Sequence, residues 1–205
     1  MKYNMKKIVI LISICFLNLF ELNAQIAKNP EAISPLLIGE KIPKAKLKDD
    51  KGNTIELNDL LKEKATVLDF YRGGWCPYCN SQLSALAFIE DEILKLGYQI
   101  IAISPEDFRN IQPSIEEDKV NYKVLSDADG KLIQEVGIAF KPSLITKTYI
   151  ATKTIGKASA ILPVPTVMVV NKNAEILFEY INPNYKNRIT PELLLAVLKN
   201  LNIKD

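Results

Sequence analysis

The stretch ATVLDFYRGGWCPYCNSQL, residues 65–83, decides the fold, because a strand, a sharp turn and the start of a helix follow one another within it. Residues 65–71 are apolar nearly throughout, which is typical of a central strand covered on both faces. Pro77 suits the first turn of a helix, and apolar residues after it recur at helical spacing until Gly97. Two cysteines, Cys76 and Cys79, therefore lie where a helix begins at the end of a buried strand.

Three interpretations of this cysteine pair compete. A disulfide that closes so short a loop removes little chain entropy, which disfavours a structural staple. The sequence contains no histidine, and the one other cysteine, Cys15, lies in an N-terminal apolar run. A tetrahedral zinc site or a Cys–His copper site therefore lacks conventional ligands, and no metal is expected. Redox exchange between two thiols is the favoured interpretation, and it needs no cofactor.

The position of the pair predicts a division of labour between the two thiols. A helix N-terminus presents unpaired N–H groups and a partial positive charge, which stabilise a thiolate. Cys76 lies at the extreme start of the helix, and Cys79 follows one turn later on the same side. We therefore expect Cys76 to be the attacking sulfur and Cys79 to resolve the mixed disulfide.

The N-terminus predicts export to the periplasm or the extracellular space. The basic stretch MKYNMKK precedes the apolar run IVILISICFLNLF, and Ala24 offers a signal peptidase site, so residues 1–24 are interpreted as a signal peptide. The run is shorter than the roughly 20 residues of a spanning helix, which disfavours a stable membrane anchor. Residues 25–37 are predicted to form a loose leader, and residues 38–205 a single domain.

The charge balance excludes one class of partner. The chain carries 26 basic and 24 acidic side chains, and removal of residues 1–24 would leave the two signs equal. Such a chain has no electrostatic footprint for nucleic acid or an anionic membrane.

The remaining sequence predicts strands that alternate with helices, hence a parallel-rich sheet covered on both faces, with antiparallel strands added at the end. Asn58 is expected to cap a short helix, and Ser104 to open another helix that Pro113 interrupts or restarts. Residues 141–162 have weak periodicity and are interpreted as an insertion of uncertain structure. The predicted segments are a hairpin over 45–57, strands over 98–104 and 122–127, a short helix over 130–138, a hairpin over 166–180 and a last helix over 191–201.

Four stretches, VLDFYRGGWCPYC, QIIAISPE, YKVLSDADGKL and PVPTVMVVNKNAEILF, resemble the AhpC/TSA peroxiredoxin family of the thioredoxin-like superfamily. The resemblance runs from about Ile38 to the C-terminus. It implies a thioredoxin-like α/β fold with an N-terminal β-hairpin extension and a mixed central sheet flanked by helices. Together with the predicted signal peptide, it implies an exported antioxidant oxidoreductase. In this reaction Cys76 would reduce a peroxide and become a sulfenic acid, which Cys79 would capture as a disulfide. A thioredoxin-like or other thiol donor would then reset the pair. Two alternatives stay open: thiol–disulfide interchange on protein disulfides, and a non-enzymatic binding module.

The same resemblance implies a substrate site around a cis-proline that faces the cysteines. Pro165 matches that position, and Val164 before it would help to hold the substrate, together with Thr166 and Trp75. Trp75 is also expected, with Tyr78, to form a packing lid around the sulfur.

The chain departs from the family pattern Pro-x-x-x-Thr-x-x-Cys, because Asp69 stands at the proline and Gly73 at the threonine. Arg72 is the first candidate to supply the charge that stabilises a thiolate or a developing oxyanion. Arg188 is a second, weaker candidate, for which a solvated loop position is the favoured interpretation. Asp69 resembles the buried acid that relays protons in thioredoxins. An ionised carboxylate inside a strand is costly, so a raised pKa is expected if this side chain lies inside.

Overall fold

The computed structural model describes residues 26–156 and 159–201, without the side chains of Ser114 and Glu117. The predicted signal peptide, residues 1–24, lies outside the described residues. Within them, no helix combines the length and apolar character that crossing a bilayer requires. The elements in chain order are β1 Lys46–Lys48, β2 Thr54–Glu56, α1 Leu57–Glu63, β3 Ala65–Phe70, α2 Pro77–Phe88, α3 Glu90–Lys95, β4 Tyr98–Ser104, α4 Ile111–Glu117, β5 Lys123–Ser126, α5 Lys131–Glu135, β6 Ala139–Phe140, α6 Leu144–Lys153, β7 Leu162–Pro163, β8 Thr166–Val170, β9 Ile176–Ile181 and α7 Pro191–Asn200.

A mixed sheet forms the centre of the domain, as predicted. Its strand order is β2-β1-β5-β4-β3-β8-β9. Strands β3, β4 and β5 run parallel to one another, whereas β8, β9 and the N-terminal hairpin add antiparallel pairings. Strands β6 and β7 form a separate two-stranded sheet. The thioredoxin-like class with its hairpin extension is confirmed.

Successive residues of β3 pack into two different apolar clusters, one on each face of the sheet. Val67 belongs to the cluster that includes Cys76, Cys79 and the helices α2, α3 and α7. Leu68 belongs to the cluster that includes α1 and α5. Asp69 pairs with Ala102 and Val167, which both lie in the first cluster. Its side chain therefore shares the cysteines' face of the sheet.

Several helix boundaries differ from the prediction. The helix expected to run to Gly97 is two helices, because the backbone leaves helical geometry at Ile89. Asn58 does not cap α1, since it lies inside that helix and Glu56 precedes it. No helix starts at Ser104; a 3₁₀ turn over Phe108–Asn110 precedes α4, so Pro113 lies where a helix restarts and does not interrupt one. It occupies the first turn of α4, where its missing N–H costs nothing.

The predicted loose leader is wrong for the part that the structure describes. The Ala27 N–H donates to the Ala139 carbonyl at 3.2 Å, and the Lys141 N–H donates to the Ala27 carbonyl at 2.9 Å. These bonds extend the small sheet by one bridge. Residues 141–162, whose structure the sequence left uncertain, contain α6. The Ser143 side chain caps this helix by accepting from the Thr146 N–H.

Candidate active site

The loop between β3 and α2 is fixed by contacts with neighbouring side chains, which leave no room for a side chain at Gly73. This residue has φ of +139°, and a Cβ there would lie 2.4 Å from Trp75 Nε1 and 2.6 Å from Glu106 Cδ. The Gly74 N–H donates to Glu106 Oε2 at 2.8 Å, and Asn80 Nδ2 donates to the Gly74 carbonyl at 3.0 Å. The loop is thus held between the end of β4 and the first turn of α2.

This loop places the two cysteines side by side at the start of α2. Cys76 is the residue before the first helical turn, and Cys79 lies in that turn. Both are free thiols, with 2% of Cys76 and 0% of Cys79 exposed to solvent. The Cys79 N–H donates to the Cys76 carbonyl at 2.9 Å, and the Cys79 thiol is the neighbour that most favours a thiolate at Cys76. The structure therefore brings the predicted pair into direct contact.

The pKa values of the two thiols are shifted in opposite directions. The hydrogen bond from Cys79 is the strongest influence on Cys76, and with its backbone N–H, Arg72 and Arg188 it lowers the pKa of Cys76 to about 6 against the opposing effect of burial. Burial and the neighbouring Cys76 raise the pKa of Cys79 well above its ordinary value. At neutral pH Cys76 is a thiolate and Cys79 a thiol.

Arg72 lies against the Cys76 sulfur. Its Nη1 donates to Cys76 Sγ at 3.9 Å. Two aromatic rings contact the guanidinium. Its carbon lies 4.9 Å from the ring centroid of Trp75 and 4.4 Å from that of Tyr185. Tyr185 in turn makes an edge contact with Tyr78, with centroids 5.6 Å apart. A buried, oriented positive charge thus stands beside the thiolate.

Arg188 lies against the other sulfur, and its interpretation as a solvated loop residue is wrong. Its Nη2 donates to Cys79 Sγ at 3.4 Å, and the side chain is partly buried. Sequence reasoning ranked it below Arg72 because it follows β9, far along the chain from the cysteines. One signal was present: the chain has only three arginines among its 26 basic residues. Two of the three contact the cysteine pair.

Two buried carboxyl groups flank the cysteines, and only one was anticipated. Asp69 is 1% exposed, its Oδ2 makes no hydrogen bond among the described residues, and burial raises its pKa to about 7 against the field of Arg188. Glu106 was missed. It is 6% exposed, and burial followed by the charge of Cys76 raises its pKa to about 7, although the Gly74 N–H opposes the shift. Both acids are therefore poised to exchange protons near neutral pH.

The predicted substrate site around Pro165 differs most from expectation. No peptide bond of the described residues is cis, so the expected cis-proline is wrong. The Val164 N–H donates to the Ile138 carbonyl at 2.9 Å, and Thr166 Oγ1 donates to the Val164 carbonyl at 2.9 Å. The backbone at Val164 is therefore already paired and cannot align a bound peptide. Trp75 does reach the site, through Arg72.

A further residue of the site surroundings comes from α6. The ring of Tyr149 meets that of Trp75 edge-on, with centroids 6.1 Å apart. The segment that sequence analysis left unassigned therefore supplies one wall beside the cysteine loop. In the part of the chain that the structure describes, no group of three or more cysteine, aspartate or glutamate side chains is arranged as metal ligands would be.

Comparisons with known proteins agree with this architecture. The model of the AhpC/TSA family matches residues 38–178. Peroxiredoxin Bcp of Escherichia coli strain K12 is 29% identical over 117 residues, which cover 57% of this chain and 74% of that protein.

Solved structures show the same fold. Reduced Prx3 from Vibrio vulnificus in complex with hydrogen peroxide superposes with a TM-score of 0.68 at 17% identity, over 80% of this chain and 97% of that one. A yeast mitochondrial 1-Cys peroxiredoxin, resolved through glutathione/thioredoxin systems, superposes with a TM-score of 0.62 at 20% identity, over 80% and 75%.

Proposed function

The chain belongs to the AhpC/TSA family and is a thiol-dependent oxidoreductase, and we propose that it reduces hydroperoxides at Cys76 and resolves the product with Cys79. One observation carries the proposal. The Cys76 sulfur, with a pKa lowered to about 6, lies 3.9 Å from the Arg72 guanidinium and beside the thiol that would resolve it. Nucleophile and resolving group are thus in contact before the reaction begins.

The first step oxidises Cys76. Its thiolate attacks one oxygen of the hydroperoxide, a sulfur–oxygen bond forms, the oxygen–oxygen bond breaks, and the second oxygen leaves as an alkoxide or hydroxide. The Arg72 guanidinium, which stands 3.9 Å from the sulfur, stabilises the charge that develops there. Glu106, with a pKa raised to about 7, supplies the proton to the leaving oxygen.

The second step closes the disulfide. Cys79 attacks the sulfur of the Cys76 sulfenic acid, the sulfur–sulfur bond forms, the sulfur–oxygen bond breaks, and the oxygen leaves as hydroxide, which takes a proton from solvent. Cys79 must give up its proton, and Asp69 is the acid on the same face of the sheet that takes it, since its pKa is raised to about 7. Two equivalents of an external thiol then reduce the disulfide and become a disulfide themselves. By analogy with the yeast relative, we propose a thioredoxin-type or small-thiol donor, and the 2% exposure of Cys76 favours the small thiol.

The enclosure of the sulfur favours a peroxide over a protein disulfide as the electrophile. Only 2% of Cys76 is exposed, and the Val164 backbone that would align a peptide already donates to Ile138. A small hydroperoxide needs neither an open sulfur nor a backbone partner. Arg72 also provides a donor at a site where the family threonine is replaced by Gly73.

We propose further that residues 1–24 direct export and are removed after Ala24. Cleavage there would leave Ala27, which pairs with β6, in the mature chain. Mass spectrometry of the protein recovered from the host periplasm or medium should give an N-terminus at Gln25. Recovery of the intact N-terminus in the cytoplasm would contradict the proposal.

Turnover of hydrogen peroxide with dithiothreitol as the donor tests the proposed reaction. The wild-type protein should consume peroxide catalytically, and mass spectrometry should find the Cys76–Cys79 disulfide when the donor is left out. Cys76→Ser should abolish consumption. Cys79→Ser should stop at a sulfenic acid that dimedone traps on Cys76. Equal peroxide consumption by wild type and Cys76→Ser would refute the proposal.

A further inference from the structure

We propose that Arg188 is a catalytic residue of the reductive half-reaction, in which it stabilises the Cys79 thiolate expelled when a reducing thiol opens the disulfide. The proposal rests on the proposed function for its cycle, but the chemistry that it assigns to Arg188 applies to any reaction that reduces this disulfide. The two arginines of the site would then divide between the two half-reactions, Arg72 serving oxidation and Arg188 serving reduction.

Each of the two sulfur atoms accepts a hydrogen bond from a different arginine. Arg72 Nη1 lies 3.9 Å from Cys76 Sγ, and Arg188 Nη2 lies 3.4 Å from Cys79 Sγ. The contact of Arg188 is the shorter one, although Cys79 carries no charge in the reduced resting protein. A positive charge placed against a neutral thiol has its largest effect at the stage of the cycle when that sulfur becomes an anion.

The cycle contains one such stage. A reducing thiolate attacks Cys76 Sγ, the new sulfur–sulfur bond forms, and the electron pair of the old bond moves to Cys79. Cys76 is the attacked sulfur because it stands before the helix and keeps 2% exposure, whereas Cys79 is 0% exposed. A second thiolate then attacks the external sulfur of the mixed disulfide and releases Cys76 as a thiolate, while Cys79 takes a proton.

Without help, Cys79 is a poor leaving group. Disulfide exchange is slower when the departing thiol has a higher pKa, and burial raises the pKa of Cys79 well above its ordinary value. Arg188 opposes this shift. It also acts on Asp69, whose pKa it lowers against burial. Arg188 therefore lies within electrostatic reach of both the departing sulfur and the carboxyl group that can return its proton.

The fold holds Arg188 at this position by its neighbours. Ile189 is buried in the cysteines' apolar cluster. Thr190 caps α7 by accepting from the Leu193 N–H at 3.3 Å. On the other side, the Asn187 N–H donates to the Asn184 carbonyl at 2.9 Å. The guanidinium thus extends from a short segment that is anchored at both ends.

The test separates the two half-reactions in the full-length protein. Protein oxidised with diamide, a thiol oxidant that is not a peroxide, is mixed with dithiothreitol, and the fluorescence of Trp75, the chain's single tryptophan, follows disulfide reduction. A neighbouring charge shifts a pKa by about 1–3 units, of which roughly half is expressed in an exchange rate, so Arg188→Met should slow reduction about 3- to 30-fold. Oxidation of the reduced variant by hydrogen peroxide should slow less than about threefold, because Arg188 is the weakest of the influences on Cys76.

Three further variants separate the effect of the Arg188 charge from the effects of its hydrogen bonds and of its loop. Arg188→Lys keeps the charge and should recover part of the reduction rate, while Arg188→Gln keeps N–H donors without charge and should not. Lys186→Gln removes a positive charge from the same loop at an exposed position and should leave both rates unchanged. If Arg188→Met does not fold, the Lys and Gln variants carry the comparison.

Two results would overturn the proposal. One is reduction of Arg188→Met at the wild-type rate. The other is an equal slowing of oxidation and reduction, which would mark Arg188 as a structural residue. A wild-type protein that peroxide does not oxidise would refute the proposed function alone, because the diamide-oxidised disulfide still reports on Arg188.

Discussion

Replacement of Cys79 with alanine should raise the pKa of Cys76, because the Cys79 thiol is the strongest influence that lowers it. Cys79→Ser is the matched control. Serine is nearly the size of alanine, so both variants leave a similar space, but serine keeps an O–H donor. Each variant also leaves Cys76 as the only cysteine of residues 25–205, so its titration is not mixed with that of a second thiol.

The magnitude follows from the contact itself. A hydrogen bond to a charged group contributes about 1.5–3 kcal/mol, and one pKa unit corresponds to about 1.4 kcal/mol, so the loss amounts to about 1–2 units. From the value of about 6, the pKa of Cys76 should rise to about 7–8 in Cys79→Ala. The thiolate fraction at pH 7 then falls from about 90% to about 10–50%.

The assay is the rate of alkylation by iodoacetamide between pH 4 and pH 10, with thiolate absorbance as a second readout, in both variants. Cys79→Ala should react about two- to tenfold more slowly than Cys79→Ser at pH 7, and at the same rate at high pH, where both thiols are ionised. If the two variants titrate alike with a pKa near 6, the hydrogen bond from Cys79 does not hold the thiolate, and the reasoning fails.

Three other substitutions test the charges around the pair. Arg72→Met should raise the pKa of Cys76 by about 1–3 units, as measured by the same titration, whereas Arg109→Gln, which removes an exposed guanidinium, should not change it. Because burial raises the pKa of Asp69 from 3.8 to about 7, the folded protein keeps a proton that the unfolded chain loses, so wild-type stability should fall as pH rises between these values. Asp69→Asn should remove the share of that fall that Asp69 causes, so the stability of the variant relative to the wild type, measured by urea unfolding, should increase by about 2–3 kcal/mol between pH 5 and pH 8; a constant difference would mean that Asp69 does not titrate there. Glu106→Gln should slow oxidation by peroxide and abolish the decline in rate that the wild type should show above about pH 7; a wild-type rate without this decline would exclude Glu106 as the acid.

The sequence was sufficient for the parts of the site that local pattern determines. The apolar run of β3, the glycines after it and Pro77 mark a strand, a turn and a helix start, so the cysteine pair was placed correctly. Glu106 was within reach of the same logic, because it follows β4, which runs parallel to β3. The carboxyl ends of neighbouring parallel strands meet at one edge of the sheet.

Other parts depend on contacts between distant segments, for which a single sequence carries little signal. Arg188 reaches Cys79 only because β9 pairs beside β8 and α7 packs on the same face as α2. Val164 and Pro165 were assigned by resemblance to a substrate site, whereas the Val164 N–H donates to the Ile138 carbonyl and the Pro165 carbonyl accepts from the Asn182 N–H. The leader was predicted to be loose because its partner strand, β6, has only two residues, too few to show a strand pattern in the sequence.

The most direct test of the central claim is a stopped-flow measurement of the reduced wild-type protein mixed with hydrogen peroxide, followed through Trp75 fluorescence. A small free thiol is measured beside it, and the rates are compared at equal thiolate concentration. Stabilisation of the transition state by preorganised donors such as Arg72 should make Cys76 at least about 100-fold faster. A Cys76 thiolate that reacts no faster than the free thiolate would contradict the account.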